Sequence, residues 1–328
     1  MPGKPEKQCR LSVLLVTYDH ESYIRRALLA LFGQEIDGPI ELVIADDGSS
    51  DRTVDIIREF EGTDSRFRFK YLDGASHLGI TRNYQRGFAA CSGEYVAILE
   101  GDDYWISPMK LQRQQAFLEA HWECDLCAVN YFLYEQDEAR FTPLAVIGNG
   151  YQYFGARDLI AHNPVGNFSA CMYRKAALDA LPQGLFALES YDWIVNICVS
   201  RTSLIGFLEE PMSVYRRHSG GVWTQKSDTA KLTRQLHLIP AYDALTDHQF
   251  HAEFVALAKR LQHGIRAITA AQVGHVADPV VRRLLQALPH LPNLSDCLPP
   301  VLMTVGRALV PLVVQRRLVR MTQERRVT

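Results

Sequence analysis

The segment from Gly93 to Trp105, GEYVAILEGDDYW, constrains this chain more than any other. Residues 95–99 are aromatic, β-branched or aliphatic, as in a strand buried on both faces. The run ends in three carboxylates, Glu100, Asp102 and Asp103. A strand covered on both sides belongs to an open α/β sheet, and such sheets hold ligands just beyond the carboxyl ends of their strands. Carboxylates crowded there repel one another unless a proton or a cation intervenes. The simplest cation is Mg²⁺ or Mn²⁺, a hard ion that takes oxygen ligands and shares itself with a substrate's phosphates. Alone, the stretch reads equally well as an acidic turn that caps the next helix.

The preceding residues supply the rest of such a sheet. Residues 11–16 form a first apolar strand, and Ile24, Ala27, Leu28 and Leu31 recur at helical spacing before Gly33. Residues 39–45 read as a second strand that ends at Asp46-Asp47-Gly48, and Asp51 as the N-cap of a helix carrying Val54, Ile57 and Phe60. Residues 67–72 alternate like a third strand, and a helix over 80–90 leads into the acidic one. Strands and helices alternating at this spacing imply βαβ units and a mostly parallel, Rossmann-like sheet. Ser107 and Pro108 read as the N-cap and first position of a helix over 108–121. Residues 125–131, 168–173 and 204–208 read as further strands; from about Gln225 the pattern is helical.

Composition narrows the class. With 328 residues, 47% hydrophobic and 22% charged, the chain is an ordinary globular protein of one or two domains. A net charge of −2 excludes a strong overall pull toward nucleic acid. The charge is uneven: residues 223–328 hold 14 Lys and Arg against 7 Asp and Glu, whereas residues 1–222 are acidic. Seven cysteines show no disulfide-like spacing, and the lone CxxC of Cys124 and Cys127 lies in an apolar run that suits core cysteines. The opening MPGKPEKQCR is too polar for a signal peptide, and no apolar run reaches 18 residues, so a cytoplasmic setting is expected.

Three stretches, SVLLVTYDHESYIRRAL, IELVIADDGSSDRTVDII and LGITRNYQRGFAACSGEYVAILEGDDYW, resemble in order and spacing the N-terminal half of the family 2 inverting glycosyltransferases. The resemblance continues more loosely through ESYDW and VYRRHSGGVW and covers roughly residues 10–223. It implies an α/β GT-A domain over residues 1–223, followed by a helical C-terminal extension over 224–328. It also implies transfer of a sugar from a nucleotide-diphospho-sugar to an acceptor hydroxyl.

The resemblance assigns roles residue by residue. Asp47 would read the base, because a carboxylate accepts a hydrogen bond from the imide N–H of uracil or thymine that cytosine lacks. UDP is thus the default donor nucleotide and dTDP stays open. Thr17 and Tyr18 would line the same pocket, and Arg82 would touch diphosphate or base. His77 stands where the family more often has Asn, and its role stays open. The acidic motif places ribose or sugar contact on Asp102 and the metal, Mn²⁺ or Mg²⁺, on Asp103. Glu100 and Asp102 also have the one-residue gap of a DxD pair, so that offset stays open. His218 would be a further metal or diphosphate ligand, and Arg216 or Arg217 would touch phosphate. Asp192 would be the catalytic base, with Glu189 a secondary contact; an Asp before a helix also serves as a cap. Trp105 suits either a pocket wall or the core.

Residues 301–328 carry six arginines against one acid, among apolar residues. They read either as a surface-seeking helix on the inner face of an anionic membrane, which would suit a lipid-linked acceptor, or as a helix packed on the enzyme or a second subunit. Pro311 argues against one unbroken helix. Two rival readings remain. A nucleotidyltransferase would want a glycine-rich basic loop where this chain has TYDHES. A non-catalytic nucleotide-sugar-binding scaffold would have no use for the set Asp47, Asp103, Asp192 and His218.

Overall fold

The computed structural model describes residues 9–74, 77–189, 191–221 and 227–274. The strands are β1 (Leu11–Thr17), β2 (Ile40–Asp46), β3 (Phe67–Tyr71), β4 (Tyr95–Glu100), β5 (Tyr104–Trp105), β6 (Cys124–Glu135), β7 (Arg140–Pro143), β8 (Tyr151–Phe154), β9 (Cys171–Arg174) and β10 (Leu204–Arg217). The helices are α1 (Ile24–Phe32), α2 (Thr53–Arg58), α3 (Ile80–Ala90), α4 (Lys110–Ala120), α5 (Ala156–His162), α6 (Lys175–Asp179), α7 (Asp192–Val199), α8 (Asp228–Leu245) and α9 (His251–Gly274). Among the described residues the strands form one sheet in the order β3-β2-β1-β4-β9-β6-β10-β5, with β7 on β6 and β8 on β10.

The first four strands of that order are parallel, joined by helical crossovers. All seven residues of β1 and all seven of β2 are buried, because helices cover both faces. Alternate residues serve different cores: Val13 and Leu15 pack with Ile24, Leu28 and Leu31, whereas Leu14 and Val16 pack with Val43, Val96 and Ile98. Beyond β4 the sheet is mixed, since β9 runs antiparallel to both β4 and β6. Cys124 and Cys127 are buried in β6 as core residues.

Two helix starts differ from expectation. Arg52, not Asp51, occupies the N-cap of α2, yet the Asp51 carboxylate accepts the Thr53 N–H at 2.9 Å and so still satisfies the first turn. Likewise α4 begins two residues late, behind Met109, whose N–H donates to Ser107 Oγ at 3.3 Å.

Phe117 of α4 lies directly over Gly206 of β10; a Cβ at Gly206 would fall 1.9 Å from its ring. We expect Gly206→Ala to push α4 off the sheet and cost about 1–3 kcal/mol. Urea denaturation measures this, and an unchanged midpoint would show that the helix moves freely.

By contacts the chain divides into residues 1–262 and 263–328. The first unit takes in α8 and the start of α9: Ile239, Tyr242, Phe250, Phe254, Leu257 and Leu261 join the core that holds Phe186, Val199 and Phe207. It therefore runs well past residue 223. Of the second unit, only residues 263–274, helical throughout, are described. The arginine-rich segment 301–328 lies outside the described residues. No described helix is long and apolar enough to cross a membrane.

Candidate active site

The site forms at the carboxyl ends of β1, β2 and β4 and is completed by the end of β10. β10 pairs in parallel with β6 but shifts register around Glu209–Pro211, an irregularity that re-aims its last third. That last third pairs antiparallel with β5, Val214 facing Tyr104 and Ser213 facing Trp105. The acidic turn between β4 and β5 is thereby laid against Arg216 and His218.

Within the turn, adjacent aspartates have different partners. Asp103 is fully buried; its Oδ1 accepts the Arg216 backbone N–H at 2.8 Å and its Oδ2 accepts from Asn167 Nδ2 at 2.7 Å. Asp102 is partly exposed, and its Oδ2 faces His218 Nε2 at 3.2 Å and His20 Nε2 at 3.9 Å. The Arg216 guanidinium donates from Nε to the Asp102 carbonyl at 2.8 Å, and lies over the Tyr23 and Tyr104 rings. Tyr23 also packs on His218, ring centroids 4.6 Å apart.

Electrostatics separates the carboxyls further. Burial pushes Glu100 up to about 8, aided by the charge of Asp102, although the Tyr84 hydroxyl donates to it at 2.8 Å. Burial, and then the charges of Asp102 and Glu100, drive Asp103 well above the usual carboxylate range. Burial opposes ionisation of Asp102 too, but the hydrogen bond from His218 and the charges of His20 and His218 hold it below that range. Of the three crowded carboxyls, Asp102 is the one shifted downward. Both oxygens of Asp103 already accept hydrogen bonds, from the Arg216 N–H and from Asn167. Asp103, on which the metal expectation fell, thus holds the end of β10, while Asp102 is the one beside His218.

Thr17 closes β1; its Oγ1 lies 3.2 Å from His20 Nδ1, and its carbonyl accepts the Asp47 N–H at 2.9 Å. Gly101 fits between them: a Cβ there would lie 2.8 Å from both Thr17 Oγ1 and His20 Nδ1. Gly101→Ala is therefore expected to displace His20 and the Asp102 turn. A loss of activity greater than the loss of stability, seen by comparing kcat with the melting midpoint, would bear this out.

At the end of β2 the two aspartates again divide. Asp46 caps its own turn, accepting from the N–H of Gly48 and Ser49. Asp47 reaches across to the start of α3, accepting the N–H of Leu78 at 2.8 Å and of Gly79 at 2.9 Å, with His77 Nδ1 at 3.0 Å. Tyr18 is exposed and its ring lies 4.5 Å from His77. Arg82 is exposed in the first turn of α3.

Asp192 opens α7 behind Tyr191, which is the N-cap, so it is not itself the cap. It is partly exposed, yet the surrounding protein pushes its carboxyl up to about 7, a backbone hydrogen bond from Trp193 opposing. Its charge contributes to raising Glu100 and Tyr84. Glu189 pairs instead with Arg234 and Tyr191. Trp105 belongs to the core, buried, with its Nε1 donating to the Ser169 carbonyl at 2.9 Å. His20, Tyr23 and Asn167 were not anticipated. His20 alone carried a signal, as a titratable residue three positions past the end of a buried strand.

The family profile described as Glycosyl transferase family 2 matches residues 12–181, more than half of the chain. An uncharacterized protein of Mycobacterium tuberculosis is 32% identical over 216 residues, covering 65% of this chain and 60% of that protein, so the chain spans about three fifths of that relative. A Bacillus subtilis protein provisionally named as the teichuronic acid biosynthesis glycosyltransferase TuaG is 32% identical over 127 residues, 39% of this chain and 48% of that one. The structure is similar to S. aureus TarS 1-349 in complex with UDP-GlcNAc, with a TM-score of 0.55 at 16% identity, over 85% of this chain and 70% of that one. It is also similar to the mannosyltransferase PcManGT from Pyrobaculum calidifontis in complex with GDP-Man and Mn²⁺, with a TM-score of 0.51 at 13% identity, over 87% and 85%. At such identities the structural likeness establishes the fold alone. The chain belongs to glycosyl transferase family 2 and has the GT-A fold.

Proposed function

We propose that this protein moves a sugar from a UDP- or dTDP-sugar to an acceptor hydroxyl with inversion, in bacterial surface polysaccharide or glycolipid synthesis. One observation carries the reading: at the carboxyl end of β4 the Asp102 carboxylate faces His218 Nε2 at 3.2 Å, in a chain of this family. The Asp102 carboxylate and one imidazole, His218, would leave most of the shell to the oxygens of the donor's diphosphate and water, which is how Mn²⁺ or Mg²⁺ is shared with a substrate. We therefore assign the metal to Asp102 and His218, with Asp103 holding the turn. A divalent cation held there would neutralise the departing diphosphate, so that no protein acid would be needed on the leaving group.

The chain's own residues do the rest. Asp192 accepts the proton of the acceptor hydroxyl, a task suited to a carboxyl whose pKa lies near the working pH. Asp47 is fixed by the amides of Leu78 and Gly79; its Oδ2 also faces His77, and its Oδ1 keeps a second lone pair for an imide N–H. Thr17 and Tyr18 line the base pocket, and Arg82 contacts the diphosphate from α3. The acceptor is a glycan or a lipid-linked glycan, brought to residues 1–223 with the C-terminal region as a membrane or subunit contact.

Melting midpoints with UDP, dTDP, GDP and CDP, each with Mn²⁺, Mg²⁺ or EDTA, test the donor class. A ligand at a hundred times its dissociation constant stabilises by about 2.7 kcal/mol. A metal-dependent rise with UDP or dTDP alone is expected. Equal rises with all four would remove base reading by Asp47, and none at millimolar ligand would remove the donor site. A rise without any turnover would instead fit a non-catalytic binding subunit.

A further inference from the structure

We propose that Asp243, His248 and His251 form a second metal site, of zinc type, distinct from the one at Asp102 and His218. Asp243 lies in the last turn of α8, His251 opens α9, and His248 stands in the turn between them. That turn is built from two consecutive left-handed residues, Asp247 at φ 51° and His248 at φ 59°, which bring the His248 ring back over α8. Both imidazoles aim Nδ1 at the same oxygen: Asp243 Oδ2 is 2.9 Å from His248 and 2.6 Å from His251. One ligand atom from each residue lies within 4.8 Å of the other two.

A pair of simple ion pairs leaves this arrangement unbalanced. Asp243 is 5% exposed, and its buried Oδ1 has no hydrogen-bond partner among the described residues. Two imidazoles on one carboxylate oxygen and nothing on the other is a poor distribution for a buried acid. A cation held by the carboxylate and both rings would relieve the crowding of two rings on one oxygen. Ligand atoms around tetrahedral Zn²⁺ lie about 3.3 Å apart, given bonds of about 2.0–2.2 Å. From 2.9 Å and 2.6 Å the rings of His248 and His251 would move outward by about 0.4 and about 0.7 Å, and both side chains are 66% exposed and free to do so. Two imidazoles and one carboxylate favour Zn²⁺ over Mg²⁺ or Mn²⁺ and leave a fourth position for water.

The site would brace the wall behind Asp192. Tyr242, adjacent to Asp243, donates its hydroxyl to the Glu189 carbonyl at 3.0 Å and packs on Trp193 with centroids 5.7 Å apart. An ion fixing the turn between α8 and α9 also fixes these contacts.

Calorimetric titration of the metal-stripped full chain with Zn²⁺ tests the site, comparing wild type with the double variant His248→Gln, His251→Gln. Because both residues are exposed, the variant is expected to fold, which circular dichroism checks. Wild type should bind one equivalent more than the variant, in the micromolar range, and Asp102→Asn should leave that difference intact. Equal stoichiometry and affinity in wild type and variant would overturn the proposal. So would loss of the extra equivalent in Asp102→Asn.

Discussion

Asp192→Asn is expected to lower turnover by about 10²–10⁴-fold while leaving nucleotide binding nearly unchanged. The substitution keeps the shape at the start of α7 and removes only the proton acceptor. It also replaces a carboxyl that burial already resists ionising, so stability should hold or rise. The pH dependence follows from the same cause. Burial disfavours the charged form, so the pKa rises to about 7 and the base is lost as pH falls through that value. Wild-type kcat/KM should therefore drop on the acid side of pH 7, and the residual rate of Asp192→Asn should not. Unchanged turnover, or an acid limb that persists in the variant, would remove Asp192 from the chemistry. Burial raises Glu100 as well, so Asp192→Asn is the control that assigns the limb.

The second large effect separates the two aspartates of the turn. Asp102→Asn should abolish the metal dependence of nucleotide binding and cost about 10²–10³-fold in turnover. The stability of the fold should change little, because this side chain is partly exposed and, among the described residues, faces His20 and His218. Asp103→Asn should do the reverse. Its new amide would meet either the Asn167 amide or the Arg216 N–H, donor against donor, in a buried place. A loss of about 1–3 kcal/mol is expected there, with metal affinity retained in the folded fraction. Calorimetric metal titrations and urea midpoints on both variants make the comparison. If Asp103→Asn loses metal and Asp102→Asn does not, the assignment is reversed.

The division between these neighbours shows where sequence reading stops. Both-face burial leaves near-continuous apolar runs, so β1, β2 and β4 and the acidic groups at their ends can be seen directly in the chain. Which acid turns inward depends on Arg216 and Asn167, residues far along the chain, and nothing local to EGDD encodes it. His20 gains its place only because β1 and β4 are neighbours. The membership of α8 in the first unit was equally hidden: an apolar Ile239 or Tyr242 does not announce which core it joins. Trp105 was ambiguous for the same reason, since an indole fits a pocket wall and a core alike until Ser169 is seen to accept its N–H.

The central claim is a single displacement in which Asp192 delivers an acceptor oxygen behind the anomeric carbon. Proton NMR of the first-formed product, with the donor chosen by the nucleotide panel and either an acceptor or water, reads the stereochemistry directly. An anomeric configuration opposite to that of the donor, formed at a rate that falls with Asp192→Asn, is the predicted result. Retention of configuration would require a second displacement or a different nucleophile, and would contradict the account.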